Sequence, residues 1–308
     1  MGNDSIHGSS ISNSVSGSPA IILLDGNNIV FRNHIGFSQS GVQTPGVYGT
    51  LRFLLGLFRF MAPLENQYIM CWDTGRNPDR VALYPDYKIP QQDEETHIDR
   101  QAVSEECRIL ERAVMATPIA TAVGYPGPSE GDDIIYSIVS DVSRMPGWTC
   151  VVVSDDSDLL QMFSEFQFIL YSPQRRLAVK NSDEASDILG YPCDRIVFYK
   201  ALCGDPSDRI PGLDGIGKTS AFQVVSRYRD AQEFLSASVD SIGAIKRVGS
   251  RLLRAREHPE ILARNMDLIR LRKVGYQLLD GSRNPEALTS VLRPIGLSFF
   301  RSHFSQYM

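Results

Sequence analysis

The chain has 308 residues, 43% of them hydrophobic and 22% charged, enough to build a substantial core in one large domain or two moderate ones. Its 31 basic and 36 acidic residues leave a formal net charge of -5, which excludes a uniformly basic nucleic-acid coat and a polybasic membrane anchor. Five cysteines without a CxxC pair and five dispersed histidines exclude a disulfide framework and a thiolate or imidazole metal centre, and they point to a reducing, cytoplasmic setting.

Residues 1–19 are rich in Ser, Asn and Gly and carry no apolar segment, so they read as a disordered leader and not a signal peptide. The apolar run Ile21–Leu24 reads as a buried strand that empties into Asp25-Gly26-Asn27-Asn28. Residues 47–61 read as a helix; Arg52 and Arg59 interrupt the most apolar stretch, and no run reaches the roughly 18 residues of a membrane span. A second strand, Tyr68–Trp72, ends on Asp73. Residues 75–95 lose the apolar pattern, and 96–115 regain it with helical period.

After Gly124 and two prolines a helix is expected from Ser129, carrying Glu130, Asp132 and Asp133 in its first turn. Thr149–Val153 is a third strand, ending in Ser154-Asp155-Asp156-Ser157-Asp158, and Phe166–Tyr171 a fourth. Strands alternating with helices imply an α/β fold: a mostly parallel central sheet with flanking helices. From about 190 only helices and tight turns are expected, with Phe299, Phe300 and Phe304 returning to the core.

Asp25, Asp73 and the pair Asp156 and Asp158 lie at the C-terminal ends of separate strands, where open parallel sheets place their sites. Taken singly, these segments also read as turns, helix caps or solvated loops. Together with Glu130, Asp132, Asp133, Asp205 and Asp208 they bring nine carboxylates to one end of the sheet. Such crowding is tolerable only if cations neutralise it, and all-oxygen donors suit Mg²⁺ or Mn²⁺. A pair of these ions suits in-line displacement at phosphorus.

Gly212–Thr219 satisfies G-x-x-x-x-G-K-[ST], but the preceding Asp205–Pro211 cannot form the buried strand that a nucleotide-binding loop requires. The same glycines suit a helix–hairpin–helix turn whose backbone N–H groups approach a nucleic-acid phosphate.

With these blocks on the page, the chain resembles the 5′-nuclease family: flap endonucleases, bacteriophage 5′-exonucleases and the 5′-nuclease domain of bacterial DNA polymerase I. The resemblance spans roughly residues 20 to 225 and rests on LLDGNN, WD (72–73), YPDYK (84–88), EGDD (130–133), SDDSDLLQM (154–162) and LCGDPSDRIPGLDGIGKTSA (202–221). It implies a nuclease core over 20–190 with a helical arch or clamp at about 75–120, and a helical region over 191–308 with its helix–hairpin–helix at about 205–226. It implies a structure-specific 5′-3′ exonuclease and flap endonuclease that leaves 5′-phosphate and 3′-hydroxyl ends on DNA.

By the same resemblance, Asp25, Asp73, Glu130, Asp132 and Asp156 would serve one metal, and Asp133, Asp158, Asp205 and Asp208 a second. Asp155 stands outside the pattern. Lys88 would contact the reacting phosphate with help from Arg80. Tyr84 and Tyr87 would stack or pack under the arch, and Arg209, Gly215, Gly217, Lys218 and Thr219 would bind DNA.

Mg²⁺ would be the cofactor, with Mn²⁺ as substitute and K⁺ at the hairpin. DNA with a 5′ flap or end, and RNA primer hybrids, would be the substrates of a monomeric, free-standing enzyme. Two departures stand out: Lys88 is followed by Ile-Pro-Gln-Gln-Asp-Glu-Glu and not by a basic residue, and Arg209 replaces the usual Asn. Eleven basic residues against six acids from Arg227 to Lys273 add an expected duplex-binding face. The alternatives are an RNA-directed nuclease of related fold and a non-catalytic DNA-junction-binding protein.

Overall fold

The computed structural model describes residues 19–61, 66–89, 99–245 and 249–308. The expected leader up to residue 18, the stretch 90–98 of the expected arch, and Lys246 and Arg247 of the basic segment lie outside the described residues.

In chain order the elements are β1 (Ala20–Asp25), α1 (Gly26–Phe37), α2 (Pro45–Met61), β2 (Gln67–Cys71), α3 (Pro78–Leu83), α4 (Arg100–Val114), β3 (Ala120–Gly124), α5 (Gly131–Val142) and β4 (Thr149–Val153). A 3₁₀ segment, Ser157–Ser164, leads to β5 (Ile169–Ser172), β6 (Leu177–Val179), α6 (Ser182–Leu189) and α7 (Ile196–Cys203). Two-residue strands β7 (Gly204–Asp205) and β8 (Ile210–Pro211) precede α8 (Lys218–Arg227). Short helices α9 (Ala231–Ser236), α10 (Val239–Gly243) and α11 (Gly249–Ala255) lead to α12 (Pro259–Ile269), β9 (Tyr276–Leu279), α13 (Pro285–Leu292) and α14 (Phe300–Phe304).

The main sheet runs β6-β5-β4-β1-β2-β3-β9, with β4, β1, β2, β3 and β5 mutually parallel and the two edge strands antiparallel. The sheet is thus mostly parallel, as the alternation of strands and helices implies. Strand β1 is buried at every position because both its faces are covered. Ile21 and Leu23 pack with Ile134, Ile135 and Ile138 of α5 on one side, while Ile22 and Leu24 pack with the apolar faces of α1 and α2 on the other. Each such side chain taken from water contributes about 1.5–3 kcal/mol, which is why β1 anchors everything attached to its end.

Strands β3, β6 and β9 of the main sheet and the short pair β7–β8 escape the sequence reading, as do helices α1 and α6, and the region after 190 holds three strands where only helices and turns are expected. Strand β3 is a five-residue run of small residues between helices, and β9 pairs with it from far along the chain (Thr121 opposite Leu279, 158 residues on). Helix α1 starts inside the Gly-Asn-Asn that reads as a turn, because Asp25 is its N-cap and accepts the Asn28 N–H at 3.1 Å. Of the three phenylalanines near the C-terminus, Phe300 and Phe304 are buried, while Phe299 is half exposed.

The helical C-terminal part is fastened to the hairpin β7–β8 by one side chain. The Asn265 amide, fully buried in α12, donates to the carbonyls of Ala201 (3.1 Å) and Pro211 (2.7 Å), on either side of that hairpin. Gly204 at the turn has φ +82°, and an added Cβ would stand 2.5 Å from the Gly212 nitrogen, so only glycine fits. Asn265→Ala removes the donor to the buried Ala201 carbonyl and to Pro211, and the expected outcome is a loss of about 1–3 kcal/mol in stability, read by urea denaturation of the two chains.

Candidate metal and nucleic-acid site

Strand β1 is hydrogen-bonded between β2 and β4, in register so that Leu24 stands beside Met70 on one side and Val153 on the other. The residues that follow these ends therefore meet. Asp25 is 5% exposed and accepts from the Asn28 N–H and from Ser154 Oγ at 2.7 Å. Asp73 accepts the Gly131 N–H at 2.5 Å, a contact that ties it to the start of α5; a Cβ on Gly131 would lie 3.0 Å from that oxygen. Asp156 caps the 3₁₀ segment by accepting the Asp158 N–H at 2.8 Å, and Asp132 sits in the first turn of α5. Asp25, Asp73, Asp132 and Asp156 line one open cleft of about 860 Å³ together with Lys88.

None of these four makes a salt bridge among the described residues. Burial, with the Asp156 and Asp73 charges adding to it against the opposing bonds from Ser154 and Asn28, pushes Asp25 up to about 7. Burial and the charges of Asp156 and Asp25 push Asp132 well above the usual carboxylate range. No group of three or more His, Cys, Asp or Glu among the described residues is gathered tightly enough to hold an ion by itself. The donor set nonetheless fits a hard divalent cation: oxygens only, side by side at one cleft, and with no salt bridge to a protein cation among the described residues.

The other five acids are neutralised from within. Glu130 accepts from Tyr87 Oη (2.8 Å), Lys88 Nζ (2.7 Å) and, through its other oxygen, the Asn77 N–H (3.2 Å), with the Arg80 guanidinium 3.2 Å away. Burial alone would raise its pKa, but Lys88 and Arg80 outweigh it and hold Glu130 down at about 2. Asp133, fully buried, receives both terminal nitrogens of Arg80 at 2.6 and 2.9 Å. Asp158 and Asp205 share Lys200, which lies 2.8 Å from Asp205. Burial still lifts Asp158 to about 7, with Asp156 adding to the effect and Lys200 opposing it, whereas Lys200 overcomes burial at Asp205 and lowers it. Asp208 lies 3.6 Å from Lys88 and is raised by burial to about 6.

Lys200 is absent from the sequence reading. Its signal is a single cation inside the otherwise apolar α7, five residues before Asp205. Phe31, 40% exposed on α1, and Arg100, Cys107 and Arg108 of α4 also line the cleft and were not singled out.

The expected phosphate and DNA contacts divide into inner and outer groups. Arg80 is 2% exposed and is committed to Asp133, Glu130 and the Arg270 carbonyl, so it does not face the cleft. Tyr87 is buried and bonded to Glu130, which leaves no face for a base, and Tyr84 lies under the Arg264 guanidinium at 4.9 Å. Lys88 is partly exposed at the cleft, with φ +49° and its N–H bonded to the Asp208 carbonyl at 3.0 Å. Arg209 follows with φ +59°.

Gly215, Gly217, Lys218 and Thr219 are all exposed where α8 begins, next to a two-residue hairpin and not a central strand; the nucleotide-loop context fails there. The aliphatic part of Arg251 lies against Gly215, so Arg251 adjoins the hairpin, and Arg227, Arg229 and Arg254 are exposed. Asp155 is bound by Arg32 (3.0 Å), Ser172 (2.6 Å) and the Gln174 N–H (2.9 Å), outside the acid group that faces the cleft.

Residues 20–189 match the family described as 5'-3' exonuclease, N-terminal resolvase-like domain. The chain is 28% identical over 244 residues to DNA polymerase I of Mycobacterium tuberculosis, covering 76% of this chain and 25% of that protein. It is 27% identical over 222 residues to the 5'-3' exonuclease of Aquifex aeolicus, covering 70% and 72% of the two chains. The chain thus spans about a quarter of the length of its DNA polymerase I relatives. Among solved structures, T5 5'-exonuclease with bound zinc shares the fold at a TM-score of 0.62 and 17% identity, over 94% of this chain and 99% of that one. Human GEN1 in complex with Holliday junction DNA does so at 0.60 and 10%, over 94% and 71%. The strand-end acids, their order along the chain and the family match agree, and the chain belongs to the 5′-nuclease family of bacteriophage 5′-exonucleases and the DNA polymerase I 5′-nuclease domain.

Proposed function

We propose that the protein is a divalent-metal-dependent, structure-specific 5′ nuclease that hydrolyses DNA phosphodiesters beside a junction of duplex and 5′ single strand. The observation that carries this reading is the set of four acids, Asp25, Asp73, Asp132 and Asp156, side by side in the cleft that Lys88 also lines and without a salt bridge among the described residues. These four would hold one Mg²⁺ with Glu130 close behind, and Asp158, Asp205 and Asp208 a second; Mn²⁺ would substitute, and K⁺ would sit at the hairpin. Bound there, such ions supply charge neutralisation at the phosphoryl oxygens and acidify water at neutral pH.

The chain's own groups do the rest. Lys88, whose cation Asp208 and Glu130 stabilise against burial, reaches the cleft and can turn its Nζ from Glu130 to a non-bridging phosphate oxygen. Exposed N–H groups at Gly215 and Gly217, with Lys218 and Arg251, grip the duplex backbone without reading sequence. Phe31 offers an exposed ring on the cleft wall for an unpaired base. Burial raises the thiols of Cys71 and Cys107, which disfavours either as a nucleophile, and in this reading water is the attacking group. The products carry a 5′-phosphate and a 3′-hydroxyl. RNA primer hybrids are substrates of the same site, since the grip on phosphate is indifferent to the sugar.

The test is a panel of a 5′-labelled flap, a nicked duplex and an RNA–DNA hybrid incubated with Mg²⁺, with chelator, and with Asp156→Asn. Cleavage of the flap, lost with chelator and reduced by about 10³-fold or more in Asp156→Asn while DNA binding persists, is expected. No metal-dependent cleavage of any substrate would sink the reading. Separately, Lys218→Ala should raise KM more than it lowers kcat and reduce the slope of log K against log salt by about 1, as loss of one phosphate contact requires. An unchanged slope would remove Lys218 from the interface.

A further inference from the structure

One stretch of C-terminal backbone reaches into the acid end of the sheet. The Arg270 carbonyl accepts from Arg80 at 2.9 Å, the Leu271 N–H donates to Gln161 at 3.0 Å, the Arg272 N–H to Asp133 at 3.1 Å and the Val274 N–H to Ser137 Oγ at 2.8 Å. Two of these bonds fall on a single buried ion pair. Asp133 Oδ2 and Oδ1 meet the two terminal nitrogens of Arg80 at 2.6 and 2.9 Å, and Oδ1 also takes the Arg272 N–H. The same guanidinium lies 3.2 Å from Glu130, which in turn holds Tyr87 and Lys88.

We propose that Arg80 and Asp133 are a positioning pair: they touch neither metal nor DNA, and they lock α3, α5 and the Arg270–Val274 backbone in the relation that aims Glu130 at Lys88. The proposal rests on the nuclease reading above and parts from the family resemblance, which would make Asp133 a metal ligand and Arg80 a phosphate contact. Three facts carry it. The Asp133 carboxylate already serves three donors on two oxygens. Neither residue lines the cleft, whereas the neighbouring Asp132 does. Successive residues on an α-helix point about 100° apart, so Asp132 and Asp133 face different surroundings from one turn of α5.

The geometry also gives the basic C-terminal segment a physical route to the catalytic lysine. Arg270 and Arg272 contribute backbone to the lock while their side chains lie at or near the surface.

The experiment is a calorimetric titration of the full chain with Mg²⁺ and with Mn²⁺, in the absence of DNA, for the wild type, Asp132→Asn and Asp133→Asn. Asp132→Asn is expected to lose tenfold or more in metal affinity, on the order of that for an inner ligand, while Asp133→Asn stays within about twofold of the wild type. In flap cleavage, Asp133→Asn is expected to lower kcat by about 10–100-fold with the half-saturating Mg²⁺ concentration unmoved. Equal loss of metal affinity in both variants, or recovery of Asp133→Asn at high Mg²⁺, overturns the proposal.

Removing one charge leaves its buried partner unpaired and can prevent folding. The double variant Arg80→Gln with Asp133→Asn removes both charges, and its metal affinity is read in the same way. For Arg80, the salt slope of DNA binding in Arg80→Gln should match the wild type, and a slope smaller by about 1 identifies a phosphate contact and overturns its assignment. Metal binding and salt slope need no turnover, so a wild type that binds metal and DNA without cutting refutes the nuclease reading and leaves the pair to be judged on its own.

Discussion

Carboxylate repulsion at the end of β1 is the constraint on which the rest of the structure depends. The parallel register of β4, β1 and β2 brings Asp25, Asp73 and Asp156 to one place whatever the loops do. Two like charges about 4 Å apart at a protein-surface dielectric repel by about 4 kcal/mol, several times what a helix cap returns. The chain meets this by dividing the acids. Arg80 takes Asp133, Lys88 takes Glu130 and approaches Asp208, and Lys200 takes Asp158 and Asp205. What remains uncovered is the set that opens into the cleft. Protein cations cover the acids behind and beside the cleft, and the four that line it are left without a salt bridge among the described residues.

The division explains why the helical C-terminal region is integral to the site, although the family match ends at residue 189. Asn265 fixes the ends of the hairpin that carries Asp205 and Asp208, and the backbone from Arg270 to Val274 closes over Arg80, Asp133 and Ser137. Strand β9 then adds an antiparallel edge to the sheet. Each contact is made by a backbone or amide group against a buried partner, so each is lost entirely if the segment shifts, and none depends on salt as a surface ion pair would.

The parts of this arrangement legible in the sequence are those where residue type and position along one strand coincide. A buried apolar run ending on a carboxylate identifies β1, β2 and β4 and three of the acids at once. The partition of those acids is not legible, because it is decided by cations far away in the chain: Arg80 is 53 residues from Asp133, and Lys88 is 42 from Glu130. The resemblance puts Asp132 and Asp133 on two different metals, yet in the fold Arg80 takes Asp133 into the interior while Asp132 lines the cleft. Strand β9 is illegible for a related reason, since its four residues alternate neither in burial nor in polarity and gain strand character only from pairing with β3. The net charge of -5 misleads in the same way: without the nine clustered carboxylates, 27 acids face 31 bases.

The choice of cation at each position follows from what must move. Arg80 is a planar fork with both ends bonded, buried where nothing needs to leave, and a lysine there could satisfy only one oxygen of Asp133 at a time. Lys88 stands at the edge of the cleft, and Lys200 is likewise partly exposed; each lies between two acids. A flexible ammonium is a point charge that can pass from a carboxylate to a phosphate oxygen without breaking a second bond, which a bidentate guanidinium cannot do. The left-handed backbone at Lys88 adds to this, because its N–H is tied to the Asp208 carbonyl and the side chain swings from a fixed root. A rigid arginine behind a partly exposed lysine holds the acidic end of the sheet in place and leaves one of its cations able to change charge partners.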